Sequence, residues 1–290
     1  MGSSIAERIA ERIDAMPAGE RRAAQTLVAN YPLIGLKTVA EFSHQAGVSS
    51  PTILRFVARL GLQNYAEFQA ALQEELAEQL QSPLVRATGE GRPDGENAMQ
   101  AAAIENIRET FRHFSDRQAQ AVVRHLVNPR CKVYLIGGRF TDPIARYMAA
   151  HLAIIRPNVF HLAGQESNWR DRLIDMGRGD VLIIFDIRRY QDSLLALARS
   201  AHERGVVIIL LTDQWLSPIA RFARQVIAGR TAVPSAWDSS ASLLVVAETL
   251  IGEATRRLED QSASRIKQME ALRFDGAPAP EPRRGKGGPG

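Results

Sequence analysis

The hydrophobic periodicity of this chain changes near Cys131, and that change constrains the fold more than any other feature. Upstream, apolar residues recur at helical spacing, as Ile5, Ile9 and Ile13 do. Downstream, short apolar runs alternate with helical segments. These runs cover residues 132–136, 159–162, 181–185, 206–211 and 225–228. Because the runs are apolar on both faces, they predict a parallel sheet covered by helices on both sides.

The two patterns predict a two-domain fold, in which an all-α bundle is followed by a three-layer α/β domain built on a parallel sheet. At 290 residues the chain is long enough for both. Residues 81–97 contain several prolines and glycines, which is typical of a linker. The predicted boundaries are 1–80 for the bundle, 81–97 for the linker, 98–270 for the α/β domain and 271–290 for a disordered tail.

Helical spacing and helix-breaking residues place the individual helices. In the bundle, the predicted helices cover residues 5–16, 17–30, 38–46, 50–60 and 64–80. In the α/β domain, they cover residues 98–114, 115–126, 141–155, 190–204 and 239–260.

Basic charge is concentrated in the middle of the bundle. The whole chain has a formal net charge of +4, whereas residues 1–80 carry more acidic than basic groups. Within residues 21–62, five basic residues stand against a single acidic one, Glu41. A local positive field of this kind is what a DNA-contacting face needs.

Residues 38–60 have the spacing of a helix-turn-helix. Gly47 can adopt the left-handed conformation that a tight turn requires, and Val48 is expected to fill the space between the two helices. Ser49 or Ser50 suits the N-cap of the second helix, and Pro51 suits its first turn. The predicted buried stripe consists of Ile53, Phe56, Val57 and Leu60.

This arrangement leaves polar and basic side chains on the outer face of the second helix, which we interpret as a recognition helix. Arg55 can pair with guanine in the major groove, and Lys37 is placed for a phosphate contact. The candidate DNA-binding residues are Lys37, Ser49, Ser50, Thr52, Arg55 and Arg59. The alternative is an ordinary solvated helix face.

Two segments carry a family resemblance. Residues 48–56, Val-Ser-Ser-Pro-Thr-Ile-Leu-Arg-Phe, and residues 59–68, Arg-Leu-Gly-Leu-Gln-Asn-Tyr-Ala-Glu-Phe, resemble the RpiR/MurR family of transcription regulators. The resemblance implies a winged or extended helix-turn-helix bundle that acts as a dimer or higher oligomer. It also implies a C-terminal sugar isomerase (SIS) domain, which binds carbohydrate derivatives.

The SIS-like part departs from that family at its ligand loop. Typical SIS domains carry Ser-x-Ser-Gly-x-Thr there to hold a phosphate, whereas residues 186–192 read Asp-Ile-Arg-Arg-Tyr-Gln-Asp. Arginine forks suit carboxylates and phosphates, and carboxylates suit ammonium or hydroxyl groups. We therefore expect a small anionic or zwitterionic effector at the strand ends. The candidate effector-binding residues are Gly137, Arg139, Thr141, Asp186, Arg188, Arg189 and Tyr190. The alternative is that Arg188, Asp186 and Asp192 pair with one another, or across a dimer interface, and bind nothing.

The sequence thus predicts a transcriptional regulator and no enzyme. Its expected partners are double-stranded DNA with a palindromic site, a small-molecule effector, and itself as a dimer or tetramer. No catalytic residue, metal site or cofactor is predicted, because the histidines at 125, 151, 161 and 202 lie away from the predicted loops and show no triad spacing. The alternatives are a phosphosugar isomerase on the same fold, or an α/β domain that serves only for oligomerisation.

The cysteine content and the lack of long apolar segments indicate where in the cell the protein is expected. The single cysteine, Cys131, permits no internal disulfide and is expected to be a small core residue. The N-terminus lacks an apolar signal region, and no apolar run reaches membrane-spanning length. We therefore expect a cytoplasmic protein without a membrane partner.

Overall fold

The computed structural model describes residues 3–80 and 97–274, apart from the side chain of Asp260. Within residues 3–80 every regular element is helical, so the bundle is an extended helix-turn-helix without a wing. The helices are α1 (Ile5–Arg12), α2 (Ala18–Ala29), α3 (Val39–Ala46), α4 (Ser50–Arg59) and α5 (Tyr65–Leu80). The first was predicted to continue to residue 16, but it tightens into a 3₁₀ turn at Ile13–Ala15.

Local sequence chemistry sets the ends of α3 and α4. Thr38 caps α3 through a capping box with Glu41, since each side chain bonds to the backbone of the other residue. Gly47 ends α3 in the left-handed region, at φ +60° and ψ 40°, as predicted. Ser49 is the N-cap of α4, although its side chain makes no capping hydrogen bond, and Pro51 lies in the first turn.

The bundle core is built on three phenylalanines. Phe42 of α3 and Phe68 of α5 each pack edge-to-face on Phe56 of α4, with ring centroids 6.3 and 6.5 Å away. The predicted stripe of Ile53, Phe56, Val57 and Leu60 is buried, and each residue is at most 1% exposed. The buried face of α4 is therefore fixed, and with it the face that points outward.

The second domain alternates helices with five strands. Its helices are α6 (Ala98–His113), α7 (Asp116–Leu126), α8 (Asp142–Ile155), α9 (Glu166–Asp171), α10 (Asp192–Glu203), α11 (Ala241–Arg257) and α12 (Glu259–Phe274). Its strands are β1 (Val133–Gly137), β2 (Val159–His161), β3 (Val181–Asp186), β4 (Val207–Asp213) and β5 (Gln225–Gly229). All five predicted strands are confirmed to within two residues.

The strands form one parallel sheet in the order β2-β1-β3-β4-β5. Alternate residues of the central strands point to opposite faces. Val181 and Ile183 join the core beneath α7, α8 and α11, while Leu182 and Ile184 join the core beneath α10. The three-layer α/β architecture is thereby confirmed, and the carboxyl ends of all strands lie at one edge.

Three features of this domain differ from expectation. The predicted closing helix over residues 239–260 is two helices, α11 and α12, which meet at Leu258. The short helix α9, with the 3₁₀ turn Arg172–Asp175 after it, was not predicted. Helix α12 continues to Phe274, so the first four residues of the predicted tail are helical. It was missed because its apolar residues form no continuous stripe. Residues 81–96 and 275–290, which hold most of the predicted linker and tail, lie outside the described residues.

The two domains are in direct contact. Leu216, in the loop after β4, is 4% exposed and belongs to the apolar core of the bundle. Beside it, Glu7 of α1 forms a buried ion pair with Arg230, which follows β5. Among the helices described, none combines the length and apolar character needed to cross a bilayer.

Candidate DNA-binding face and ligand site

The outer face of α4 carries a short chain of hydrogen bonds. The hydroxyls of Ser49 and Thr52 lie 2.9 Å apart, and Arg55 Nη2 donates to Thr52 Oγ1 at 3.0 Å. Ser49 and Arg55 are exposed, and Thr52 is half-buried. The guanidinium of Arg55 is thus oriented towards the start of α4, the end that a recognition helix presents to base edges.

Two other candidates in this region make contacts inside the bundle. Ser50 is half-buried, and its hydroxyl lies 3.3 Å from that of Ser43 on α3, so it lies at the contact between the two helices. Arg59 forms an ion pair with the buried carboxylate of Glu20 on α2, which raises the pKa of Arg59. The Arg59 side chain nevertheless remains 39% exposed.

Lys37 stands exposed just before α3, where a phosphate contact was predicted. Its carbonyl accepts hydrogen bonds from the Tyr65 hydroxyl at 2.9 Å and from Gln69 Nε2 at 3.0 Å. Helix α5 therefore fixes the backbone from which the Lys37 side chain projects.

In the second domain, the loops after β1, β3 and β4 meet at the carboxyl edge of the sheet. Gly137 permits the closest approach, because a Cβ there would lie 2.4 Å from the backbone nitrogen of Asp142. Thr141 Oγ1 donates to the Phe185 carbonyl at 2.7 Å and accepts from the Gly138 N–H at 2.9 Å. Gly137 and Thr141, two of the predicted effector residues, thus close the loop after β1 onto β3.

Two buried carboxylates occupy the centre of this edge. Asp186, 1% exposed, accepts a hydrogen bond from Ser217 Oγ at 2.6 Å, and burial raises its pKa to about 7. Asp213, 0% exposed, accepts from the Tyr190 hydroxyl at 2.6 Å and from the Trp215 N–H at 3.1 Å, and burial raises its pKa to about 6. Asp186 ends β3 and Asp213 ends β4, so the loop in which typical SIS domains carry Ser-x-Ser-Gly-x-Thr begins here with a buried carboxyl group.

The predicted arginines separate from one another. Arg188 turns towards the bundle, where its Nη1 donates to the Glu78 carbonyl at 3.1 Å, and its Nη2 donates to Asp238 Oδ1, in the segment between β5 and α11, at 2.9 Å. Its guanidinium also lies 4.1 Å from the centre of the Trp215 ring. The Arg188 side chain therefore pairs with Asp238, and not with Asp186 or Asp192 as the alternative had it.

Arg139 and Arg189 stay at the surface. The Arg139 guanidinium lies 5.2 Å from the centre of the Phe140 ring, and Phe140 packs on Trp237 with centroids 5.6 Å apart. Arg189 is exposed and has a positive φ of +68°. Of the predicted effector residues, Asp186 accepts a hydrogen bond from Ser217, while the Tyr190 hydroxyl and the Arg188 backbone N–H both donate to Asp213.

Several residues of the site were missed from the sequence. Asp238 lies 50 positions from its partner Arg188, so no local pattern could reveal the pair. His161 was expected to lie away from the strand-end loops, and that expectation is wrong, since His161 Nε2 lies 2.9 Å from Asp142 Oδ1. Within residues 3–80 and 97–274, no group of three His, Cys, Asp or Glu side chains is arranged to hold a metal ion.

Each of the two domains matches a known protein family. Residues 3–79 match the model of the helix-turn-helix domain of the rpiR family, and residues 125–252 match that of the SIS domain. No curated protein sequence matches the chain significantly.

The solved structures that share the fold include the following two. The sugar isomerase domain of an RpiR transcription factor from Sphaerobacter thermophilus is 23% identical, with a TM-score of 0.56 over 60% of this chain and 97% of that one. The NanR protein of Vibrio vulnificus, solved in complex with ManNAc-6P, is 15% identical, with a TM-score of 0.53 over 93% of this chain and 97% of that one. The second match extends over both domains.

Proposed function

Given that this chain is a regulator of the RpiR type, with an rpiR-family helix-turn-helix domain joined to a SIS domain, we propose that α4 reads an operator and that a small metabolite at the SIS domain modulates its affinity. The observation that carries the proposal is the outer face of α4. On that face, the Thr52 hydroxyl orients the exposed guanidinium of Arg55, while the opposite face of α4 packs against the phenylalanine core of the bundle.

The residues on that face divide by expected role. Arg55 reads a base edge, because its guanidinium forms no ion pair within the described part of the chain and lies near the start of α4. Ser49, Thr52 and Lys37 contact phosphates and set the register of the helix on the duplex. Arg59 contributes to the positive field while it ties α4 to α2.

The operator is proposed to be palindromic. Two copies of the chain, in a dimer or tetramer, present two α4 helices on one face of the duplex, about one helical turn apart. Operator length and symmetry therefore follow from the assembly. Light scattering of the full chain in solution tests this, and a monomer at the concentrations that bind DNA contradicts it.

The effector is proposed to be anionic or zwitterionic and not an ordinary phosphosugar. Support comes from the ends of β3 and β4, where the buried carboxylates of Asp186 and Asp213 lie, and from the loop after β3, which lacks the Ser-x-Ser-Gly-x-Thr sequence of typical SIS domains. The exposed arginines at 139 and 189 are available to an anion in the neighbourhood of that loop. The domain combination favours a regulator, and we propose no reaction for it.

The DNA-binding proposal is tested by selecting bound sequences from random genomic fragments. We expect wild-type protein to enrich a palindromic site and Arg55→Ala to lose that enrichment, with affinity for the selected site lowered on the order of 10- to 100-fold. Arg170→Ala is the control, since Arg170 is half-exposed on α9, in the other domain. Salt-sensitive binding without enrichment in the wild type would overturn the proposal.

A further inference from the structure

A cavity of about 450 Å³ lies between the two domains. One wall is formed by α1, the two residues before it and α5 of the bundle, and the other by residues that follow β3, β4 and β5. The polar side chains that line this interdomain cavity include Arg8, Glu74, Glu78, Arg188, Gln214 and Arg230. The cavity thus lies at the carboxyl edge of the sheet, where ligands of open α/β domains bind, and the helix-turn-helix domain closes it.

Gln214 lines this cavity with an amide oxygen whose hydrogen-bonding capacity is not satisfied within the described residues. The residue is 4% exposed, and its amide oxygen is buried without a hydrogen-bond partner among the described residues. Buried polar groups are nearly always paired, because leaving one unpaired forfeits the hydrogen bond it made to water. An acceptor held in this way on a cavity wall fits a ligand that brings a donor, such as an ammonium or a hydroxyl group.

Three arginines on the walls are held in place by neighbouring groups. Arg8 Nε donates to the Ser3 carbonyl at 3.2 Å, Arg188 pairs with Asp238, and Arg230 pairs with Glu7. Guanidinium groups fixed by such contacts lose little side-chain entropy when they meet a carboxylate.

Carboxylates share the lining with these arginines. Glu74 is exposed and Glu78 is half-buried, and both belong to α5. Burial raises the pKa of Glu75, the third glutamate of this wall, to about 7. A cavity with fixed positive groups, carboxylates and an unpaired amide oxygen suits a ligand that carries both signs of charge better than a simple anion.

We infer that the interdomain cavity binds a small zwitterion of the amino-acid class. The ligand's ammonium donates to Gln214 Oε1 and is neutralised by the α5 carboxylates, while its carboxylate meets the arginines. Because the walls come from both domains, the bound ligand favours the arrangement in which the domains are docked as described here. This regulatory consequence rests on the function proposed above, whereas the binding itself does not.

The binding is tested on the full chain without DNA, with the free proteinogenic amino acids as probes. We expect at least one of them to raise the Tm in a concentration-dependent way. The N-acetyl and carboxamide derivatives of that amino acid should have no such effect, since each lacks one of the two charges. If no amino acid raises the Tm, or if either derivative does so equally, the inference is overturned.

Two variants locate the ligand. Gln214→Leu removes the amide acceptor at similar volume, and Glu78→Gln removes a carboxylate without changing the carbonyl that Arg188 uses. Each should weaken binding about tenfold or more by calorimetry. Glu105→Gln is the matched control, since Glu105 is an exposed helical glutamate outside the cavity. Unchanged affinity in Gln214→Leu and Glu78→Gln places the ligand elsewhere and refutes the inference.

The two proposals fail separately. Amino-acid binding without operator selection leaves the interdomain cavity as a ligand site and removes the DNA-binding role. Operator selection without amino-acid binding leaves the regulator in place and removes the ligand class assigned to this cavity. If both hold, the amino acid should change operator affinity by the same factor by which operator DNA changes amino-acid affinity.

Discussion

At the scale of single residues, glycine serves two different physical needs in this protein. Gly47 adopts φ +60°, and a Cβ there would meet nothing within 4 Å, so only the backbone conformation demands glycine. Gly137 has an ordinary φ, but a Cβ would lie 2.4 Å from the Asp142 backbone nitrogen. The helix-turn-helix turn and the loop after β1 therefore depend on the absence of a side chain for separate reasons.

Gly47→Ala is expected to lower the free energy of unfolding by about 1–2 kcal/mol, the cost of a left-handed conformation for a residue with a Cβ. Gly47→Asn should cost less, since asparagine tolerates that conformation. Urea denaturation of both variants measures the difference. Gly177→Ala is the control, because Gly177 has an ordinary φ and open space around its Cβ position. An equal loss in Gly47→Ala and Gly177→Ala would contradict this account.

Asp186 is expected to make the protein less stable as the pH rises. Burial raises the pKa of Asp186 from 3.8 to about 7. The hydrogen bond from Ser217 lowers this pKa, and the nearby charge of Asp213 raises it. Between these two values the folded state binds more protons than the unfolded state, so the free energy of unfolding falls as pH increases. For one such group the slope approaches about 1.4 kcal/mol per pH unit.

The measurement compares urea midpoints of wild type and Asp186→Asn from pH 4 to pH 8. Asparagine retains an acceptor for the Ser217 hydroxyl but does not titrate, so the variant should gain stability relative to wild type as the pH rises to about 7. Glu253→Gln serves as the control, because the Glu253 side chain is half-buried and the Arg256 hydrogen bond lowers its pKa, opposite to the shift of Asp186. Parallel pH profiles for wild type and Asp186→Asn would show that Asp186 does not titrate in this range.

At the scale of elements, α3 and α11 show how much of a helix is decided locally. Helix α3 is only eight residues long, yet it has a complete capping box at Thr38 and a glycine at its end. Helix α11 buries Leu243, Val246 and Leu250 against the sheet along one face. Its outer face includes Gly252, which is exposed in the middle of the helix.

Gly252→Ala is expected to stabilise the protein by about 0.5–1 kcal/mol. Glycine in a helix interior costs that amount relative to alanine, and a Cβ at Gly252 would meet nothing within 4 Å. Thermal and urea unfolding of the full chain measure the gain. A loss of stability would mean that the outer face of α11 is covered in the assembled protein, which light scattering of the variant would then reveal as altered association.

At the scale of the whole molecule, the contact between the two domains is part apolar and part ionic. Leu216 inserts from the sheet domain into the bundle core, and Glu7 pairs with Arg230 beside it. The side chains of that pair are 4% and 12% exposed, respectively. A second interdomain pair joins Arg117 to Asp14 at 3.0 Å, but its side chains are 80% and 71% exposed.

Arg230→Ala is therefore expected to cost about 3–5 kcal/mol, because it leaves the buried Glu7 carboxylate without its partner. Arg117→Ala should cost about 0–1 kcal/mol, as solvent screens an exposed pair. Denaturant unfolding of ligand-free protein compares the two variants. The backbone contacts of Arg230 with Thr110 and Ser242 are retained in the variant, so the difference reports the side chain. Equal costs would contradict the assigned role of burial.

The sequence by itself determined the order and type of most elements and the chemistry of the helix-turn-helix. Periodicity, caps and the Gly47 turn are local properties, set by residues within a few positions of each other. The parallel sheet followed in the same way from strand runs that are apolar on both faces. Helix α12 was not predicted because its own residues show no local helical pattern. It docks on α8, where Arg265 Nε donates to the Ala153 carbonyl at 3.1 Å.

Only the tertiary structure decided where the charged side chains point. Arg59 meets Glu20 across 39 positions of sequence, and Arg188 reaches Asp238 across 50. Such pairs depend on which helix faces which loop and on the rotamer each side chain adopts, and neither is encoded in residue spacing. The interdomain cavity arises for the same reason, since Gln214 and Glu78 become neighbours across it only after both domains have folded and packed together.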